Sequence, residues 1–214
     1  LHFLSVLFPE KKYEKPNLKL INTKKINSWF EFLCDKKSCQ KHDFDVVLLV
    51  GFQGWKKSFV HKFLPEYQLI YTQKNVPINK IKELQTEYRI KALICWGVTK
   101  DAPLKNISLK LGLPIWTMED GFVRSVELGS NQVEPRSLVL DKSGIYFDTT
   151  RTSDLEHLLN TYDLKTNRDF VKRAELLLQL FRNLKISKYN DASFYLNRSI
   201  ESSSIFEEKS ILVV

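Results

Sequence analysis

Cysteine is scarce in this chain: three thiols, Cys34, Cys39 and Cys95, stand among 214 residues. So low and odd a count excludes a disulfide-stapled scaffold and fits a reducing compartment. Cys34, Cys39 and His42 are close enough in sequence to raise the question of a metal. A structural zinc site takes four ligands, however, and the paired spacing of a zinc ribbon is missing, so none is expected. No apolar run approaches the ~20 residues that cross a bilayer. The opening LHFLSVLF stops at Pro9 and has neither a basic leader nor a small-residue cleavage pattern, so it does not read as a signal peptide. Also absent are a G-x-G-x-x-G fingerprint, a Walker lysine motif and any helix-turn-helix, RNA-recognition or zinc-finger pattern. A nucleic-acid partner is therefore not expected.

What is present is ample core material, with 43% apolar and 27% charged residues. The net charge of +8 is carried partly by lysine pairs at 11–12, 24–25, 36–37 and 56–57. They are scattered, which reads as a solvated basic surface; anionic membrane lipid and anionic polysaccharide are the functional alternatives. Along the chain, residues 1–8 read as an edge strand and Ile26 to Cys34 as a short amphipathic helix with Asn27 or Ser28 as its cap. Phe44 to Gly51 is the clearest strand, because Val46 to Val50 is an unbroken, β-branched-rich run suited to a sheet buried on both faces. Lys56 to Phe63 (helix), Gln68 to Tyr71 (strand), Pro77 to Tyr88 (helix), Ala92 to Trp96 (strand), Ala102 to Leu111 (helix) and Pro114 to Met118 (strand) follow. This alternation with short connections predicts an α/β fold, a Rossmann-like doubly wound parallel sheet. A hairpin of Ser137 to Leu140 and Ile145 to Asp148 is added to it. Ser153 with Glu156 forms a capping box for a helix to about Tyr162. A longer helix over Asn167 to Leu184 carries an inner stripe of Phe170, Val171, Ala174, Leu177, Leu178 and Phe181.

The chemistry-bearing stretch is Pro114 to Asp148. Two adjacent carboxylates, Glu119 and Asp120, then Gly121, Arg124 and Ser125, follow a buried strand, where open α/β sheets keep their ligands. The plainer reading is a turn made by Asp and Gly, with an arginine paired to the acid. Gln53, in the turn after the clearest strand, stands at a carboxyl end as well; packing and turn formation are its alternative role.

Three segments carry a family resemblance: EDGFVRSVELGS (Glu119 to Ser130), SLVLDKSGIYFDTTRTSDLEHLL (Ser137 to Leu159) and SKYN (Ser187 to Asn190). In order and spacing they resemble the bacterial capsule polysaccharide biosynthesis proteins of the KpsC type. Those are retaining β-Kdo glycosyltransferases that use CMP-Kdo. The resemblance implies the N-terminal half of a GT-B fold: residues 1–190 as the acceptor-side domain, 191–209 as a linker and 210–214 as the first strand of a nucleotide-binding domain. The chain opens on Leu1 rather than methionine and closes on ILVV, so a fragment is expected whose partner domain lies beyond Val214 and which is inactive alone. Retention implies attack by an enzyme carboxylate and then by the acceptor hydroxyl. Asp120 is the expected nucleophile and Glu119 the general base. Arg124 favours an ionised neighbour or binds the Kdo carboxylate. Ser125 and Gly121 belong to the sugar site, and Lys188 and Asn190 contact donor phosphate or hold the hinge. Glu127 and Arg136 depart from the family's usual small and apolar residues.

The resemblance further implies a sugar nucleotide as donor, no cofactor and no metal, and a lipid-linked saccharide acceptor. It places the protein in the cytoplasm, at the inner face of the membrane, beside other capsule biosynthesis proteins. Two alternatives stand: a non-enzymatic capsule assembly or export module, and a glycosyltransferase with a different sugar nucleotide.

Overall fold

The structure is a computed structural model, and it describes residues 21–35, 45–99, 101–125 and 132–190. Seven strands form one mixed sheet: β1 (Ile21–Asn27), β2 (Phe30–Asp35), β3 (Val46–Val50), β4 (Gln68–Thr72), β5 (Ile90–Trp96), β6 (Ile115–Asp120) and β7 (Leu138–Asp141). Their order is β1-β2-β4-β3-β5-β6-β7. The central four, β4-β3-β5-β6, are parallel. Antiparallel strands close both sides, β2 on β4 and β7 on β6.

The parallel core forms where apolar runs are longest, and side-chain alternation divides it between two faces. Val46, Leu48 and Val50 of β3 pack with Leu93 and Cys95 of β5, under α2 (Ile78–Glu87) and α3 (Ala102–Leu111). Val47 and Leu49 face the other way, with Ile94, Trp116 and Met118, against Phe59 and Val60 of the short α1 (Lys57–Val60), which has a 3₁₀ turn at each end. The sheet is thus wound on both faces, the α/β arrangement expected.

Three expectations are corrected. Ile26 to Cys34 is not a helix: Asn27 ends β1, Ser28 and Trp29 make the turn, and β2 pairs with both β1 and β4. Phe30 is fully buried while Glu31 is half-buried, so strand alternation prevails over the aromatic density that suggested a helix. Ile145 to Asp148 is not a strand. Asp141 Oδ1 accepts from the amides of Ser143 and Gly144, and the chain turns there, with Asp148 N donating to Ile145 O. Strand β7 pairs with β6 instead, Asp120 opposite Leu138.

The helices α4 (Asp154–Thr161) and α5 (Arg168–Asn183) form as expected, α4 from a Ser153 cap whose Oγ accepts from Glu156 N at 3.0 Å. The stripe on α5 is the third correction, for no residue of that helix is buried. The expected strand at 1–8, linker at 191–209 and strand at 210–214 lie outside the described residues, as do Cys39, His42 and Glu127. No helix among the described residues is long and apolar enough to cross a membrane.

Candidate active site

Chain order sets where a ligand can sit. From β3 the chain passes to β4 on one side, then crosses to β5 on the other, so the connections diverge between β3 and β5. In an open α/β sheet that divergence leaves a crevice beyond the carboxyl ends of the strands. A cleft of about 330 Å³ lies there. Val50, Cys95, Trp96 and Leu104 give its walls, and Gln53, Lys56, Lys74, Thr99 and Asp101 its polar lining.

Strand β6 runs beside β5 and ends in the two carboxylates, which are the last residues of the strand rather than part of a turn. Glu119 Oε1 accepts from Trp96 Nε1 at 3.0 Å and from Asp120 N at 2.9 Å, so it is fastened to a side chain that lines the cleft. Gly97 follows Trp96 with a φ of +70°, and a Cβ there would come within 3.4 Å of Glu119 Oε2. A glycine takes this left-handed turn without strain and leaves room for the carboxylate.

Asp120 is held differently. Arg124 Nε lies 2.8 Å from Asp120 Oδ2, an ion pair not aligned as a hydrogen bond. Arg124 is 1% exposed and the Asp120 side chain 18%. The other oxygen, Asp120 Oδ1, has no hydrogen-bond partner. Such an atom is an exception in a structured interior, since buried polar atoms are ordinarily satisfied. Asp120 does not itself line the cleft.

The expected residues farther along do come together with this strand. Arg124 Nη1 donates to Ser125 Oγ at 2.7 Å. Lys188 O accepts from Arg124 N at 2.9 Å and Ser125 N at 3.3 Å, and Ser125 forms an isolated parallel bridge with Tyr189. Asn190 donates through its backbone N and its Nδ2 to Ser125 O, and its Oδ1 accepts from Ser187 N. The SKYN segment therefore clamps the arginine loop, and the Asn190 amide is engaged by backbone groups on both its ends. Lys188 Nζ sits 5.7 Å from the Tyr189 ring centroid. Gln53 does line the cleft, its Oε1 accepting from Trp55 Nε1 at 2.9 Å.

Lys56 escaped notice in the sequence, where it is half of a lysine pair. The structure separates the two. Lys57 Nζ is in an ion pair with Glu31 at 2.5 Å. Lys56 Nζ instead stands 3.4 Å from the centroid of the Trp96 ring and 5.7 Å from that of Trp55. Burial pushes its pKa down from 10.5 to about 8, against the pull of Glu119 and, less strongly, Asp120. The available signal was position: Lys56 belongs to the same strand-end turn as Gln53. Among the described residues no group of three or more His, Cys, Asp and Glu side chains is arranged to hold a metal.

Comparison with known proteins adds to this geometry. A family described as "Capsule polysaccharide biosynthesis protein" matches residues 91–206, more than half of the chain. The lipopolysaccharide-processing protein LpsZ of Rhizobium meliloti is 32% identical over 145 residues, covering 68% of this chain and 33% of LpsZ. The capsule polysaccharide modification protein LipA of Neisseria meningitidis is 36% identical over 146 residues, covering 67% of this chain and 20% of LipA. The solved structure of Thermosulfurimonas dismutans KpsC, a beta Kdo 2,4 transferase, aligns with a TM-score of 0.49 and 32% identity over 67% of this chain and 41% of that one. This chain thus spans about a third of LpsZ and a fifth of LipA.

Proposed function

Because the chain belongs to the capsule polysaccharide biosynthesis protein family, we propose that it is the acceptor-side domain of a GT-B glycosyltransferase. It moves Kdo from CMP-Kdo to a saccharide acceptor with retention at the anomeric carbon. The observation that carries this reading is the uneven state of the two carboxylates at the end of β6. Asp120 keeps one oxygen without a hydrogen bond, beside an ion-paired arginine, whereas Glu119 Oε1 is bonded twice.

The division of labour follows from those bonds. Asp120 Oδ1 donates its electron pair to the anomeric carbon as the bond to the phosphate oxygen breaks, and CMP departs with that bond's electrons. The acceptor hydroxyl then attacks the same carbon, giving its proton to Glu119 and releasing Asp120. Two inversions make a retention. Arg124 holds Asp120 Oδ2 in place through both steps and is itself oriented by Ser125. In this reading the reaction draws on the sugar nucleotide alone, without a cofactor or a metal, and the acceptor is lipid-linked at the inner face of the membrane.

The test uses the full-length protein that contains this chain, with CMP-Kdo and a Kdo-bearing acceptor. Asp120→Ala is expected to lower transfer by three orders of magnitude or more, and mass spectrometry of the native protein with donor alone is expected to find the sugar on a peptide carrying Asp120. Transfer by Asp120→Ala at the native rate removes the nucleophile. Equal turnover with UDP-sugars, and none with CMP-Kdo, removes the donor.

A further inference from the structure

The Lys56 ammonium makes no hydrogen bond or ion pair among the described residues; its neighbours are two indole faces. The carboxylates whose charge acts on it, Glu119 and Asp120, each have one oxygen already engaged. Asp120 pairs with Arg124, and Glu119 Oε1 accepts from Trp96 and the Asp120 amide. A cation that has lost part of its hydration needs compensation, and an aromatic face supplies only some of it. The same side chain lines the cleft at the β3–β5 divergence, where Lys74 adds positive charge and Asp101 negative charge.

From this geometry we infer that Lys56 is an anion-binding residue of the cleft, which takes a carboxylate or phosphate oxygen of the ligand on its ammonium. The two indoles hold it there. Trp96 ties this cation to the reacting end of β6, because its ring lies under Lys56 and its Nε1 donates to Glu119. An anion bound at Lys56 is thereby set next to the carboxylates, and the cation offsets the repulsion that Glu119 would exert on an acidic ligand. The transferase reading enters only in naming that ligand an acidic sugar on a nucleotide; the anion site itself does not depend on it.

Intrinsic fluorescence gives a direct readout, since Trp55 and Trp96 flank the ammonium. The full chain is titrated with free Kdo, which carries a carboxylate, with CMP, which carries a phosphate, and with uncharged glucose. Native binding of at least one anion is expected, weakened about tenfold or more by Lys56→Met and largely kept by Lys56→Arg. Lys82→Met, an exposed change on α2, is expected to bind as the native chain does, and urea unfolding of each variant shows that it is folded. Loss confined to Kdo assigns the carboxylate, and loss confined to CMP assigns the phosphate. Either upholds the site, and loss confined to CMP does so even where transferase activity proves absent. A folded Lys56→Met that binds both anions as tightly as the native chain overturns the inference while leaving the transferase reading intact. A native chain that binds neither overturns it too.

Discussion

Arg124 is 1% exposed and yet carries a full charge, which a protein interior tolerates only beside a partner. Asp120 is that partner, Ser125 Oγ takes one guanidinium N–H, and the backbone of residues 124 and 125 is pinned by Lys188 O. The glycine between the strand and this loop is required by space: a Cβ on Gly121 would lie 2.7 Å from Ser137 Cβ and 2.9 Å from its carbonyl carbon, and backbone cannot yield as a flexible side chain does. Removing one member of the ion pair strands the other. Arg124→Met is expected to cost about 3–5 kcal/mol of unfolding free energy. Combining it with Asp120→Asn is expected to recover part of that loss, as the uncompensated charge is gone. Urea unfolding of the two single variants and the double variant measures the coupling. Strictly additive losses would show that the pair does not act as a unit.

At the scale of elements, what could be read from residues was what local pattern dictates. The apolar runs of β3 and β5 admit one reading, the Ser153 cap forms, and α3 has the expected limits, Ala102–Leu111. What could not be read was decided by partners distant in sequence. Phe30 and Phe32 suit a helix as well as a strand until β4 offers Thr72 and Ile70 opposite them. Ser137 to Leu140 has the pattern of a hairpin arm, but the strand that forms there, β7, pairs with β6, earlier in the chain. The carboxylate–arginine group was legible because it is contiguous, from 119 to 125. Lys56 was not, because its meaning comes from a tryptophan forty residues later.

Asp141 shows how side chains outside any regular pattern decide such a case. It is buried, and its carboxylate accepts from three backbone amides: Ser143 and Gly144 in the turn, and Asp154 at the first turn of α4. One residue thus sets the end of β7, the turn that replaces the expected strand, and the start of the next helix. Asp141→Ala leaves all three donors without that acceptor and is expected to cost about 3 kcal/mol or more. Ser153→Ala loses only the cap and is expected to cost about 1 kcal/mol. Chemical denaturation of the two variants gives the order, and a smaller loss for Asp141→Ala would mean that water replaces its bonds.

For the whole molecule, the titrating groups of the folded state act against one another above neutral pH. Burial lowers Lys56 from 10.5 to about 8, so between those values the unfolded chain holds a proton there that the folded chain has released. Stability therefore rises with pH across that window. Burial raises Cys95 from 9.0 to about 12 and raises Tyr71 well above 10.0. These groups stay neutral in the fold while the unfolded chain ionises, so their contribution is lost as pH climbs past 9 and 10. Among the described residues, the interval from pH 7.5 to 9 belongs mainly to Lys56. Across it, the unfolding free energy of the native chain is expected to gain on that of Lys56→Met by less than about 1 kcal/mol, a figure reduced by solvent around the half-exposed ammonium. Urea unfolding at half-unit steps of pH would reveal the gain as a divergence of the two curves. Parallel curves over that interval would mean that the ammonium is as well hydrated in the fold as out of it. The cation would then have no burial penalty for an anion to relieve, and the indole faces would be only its resting place.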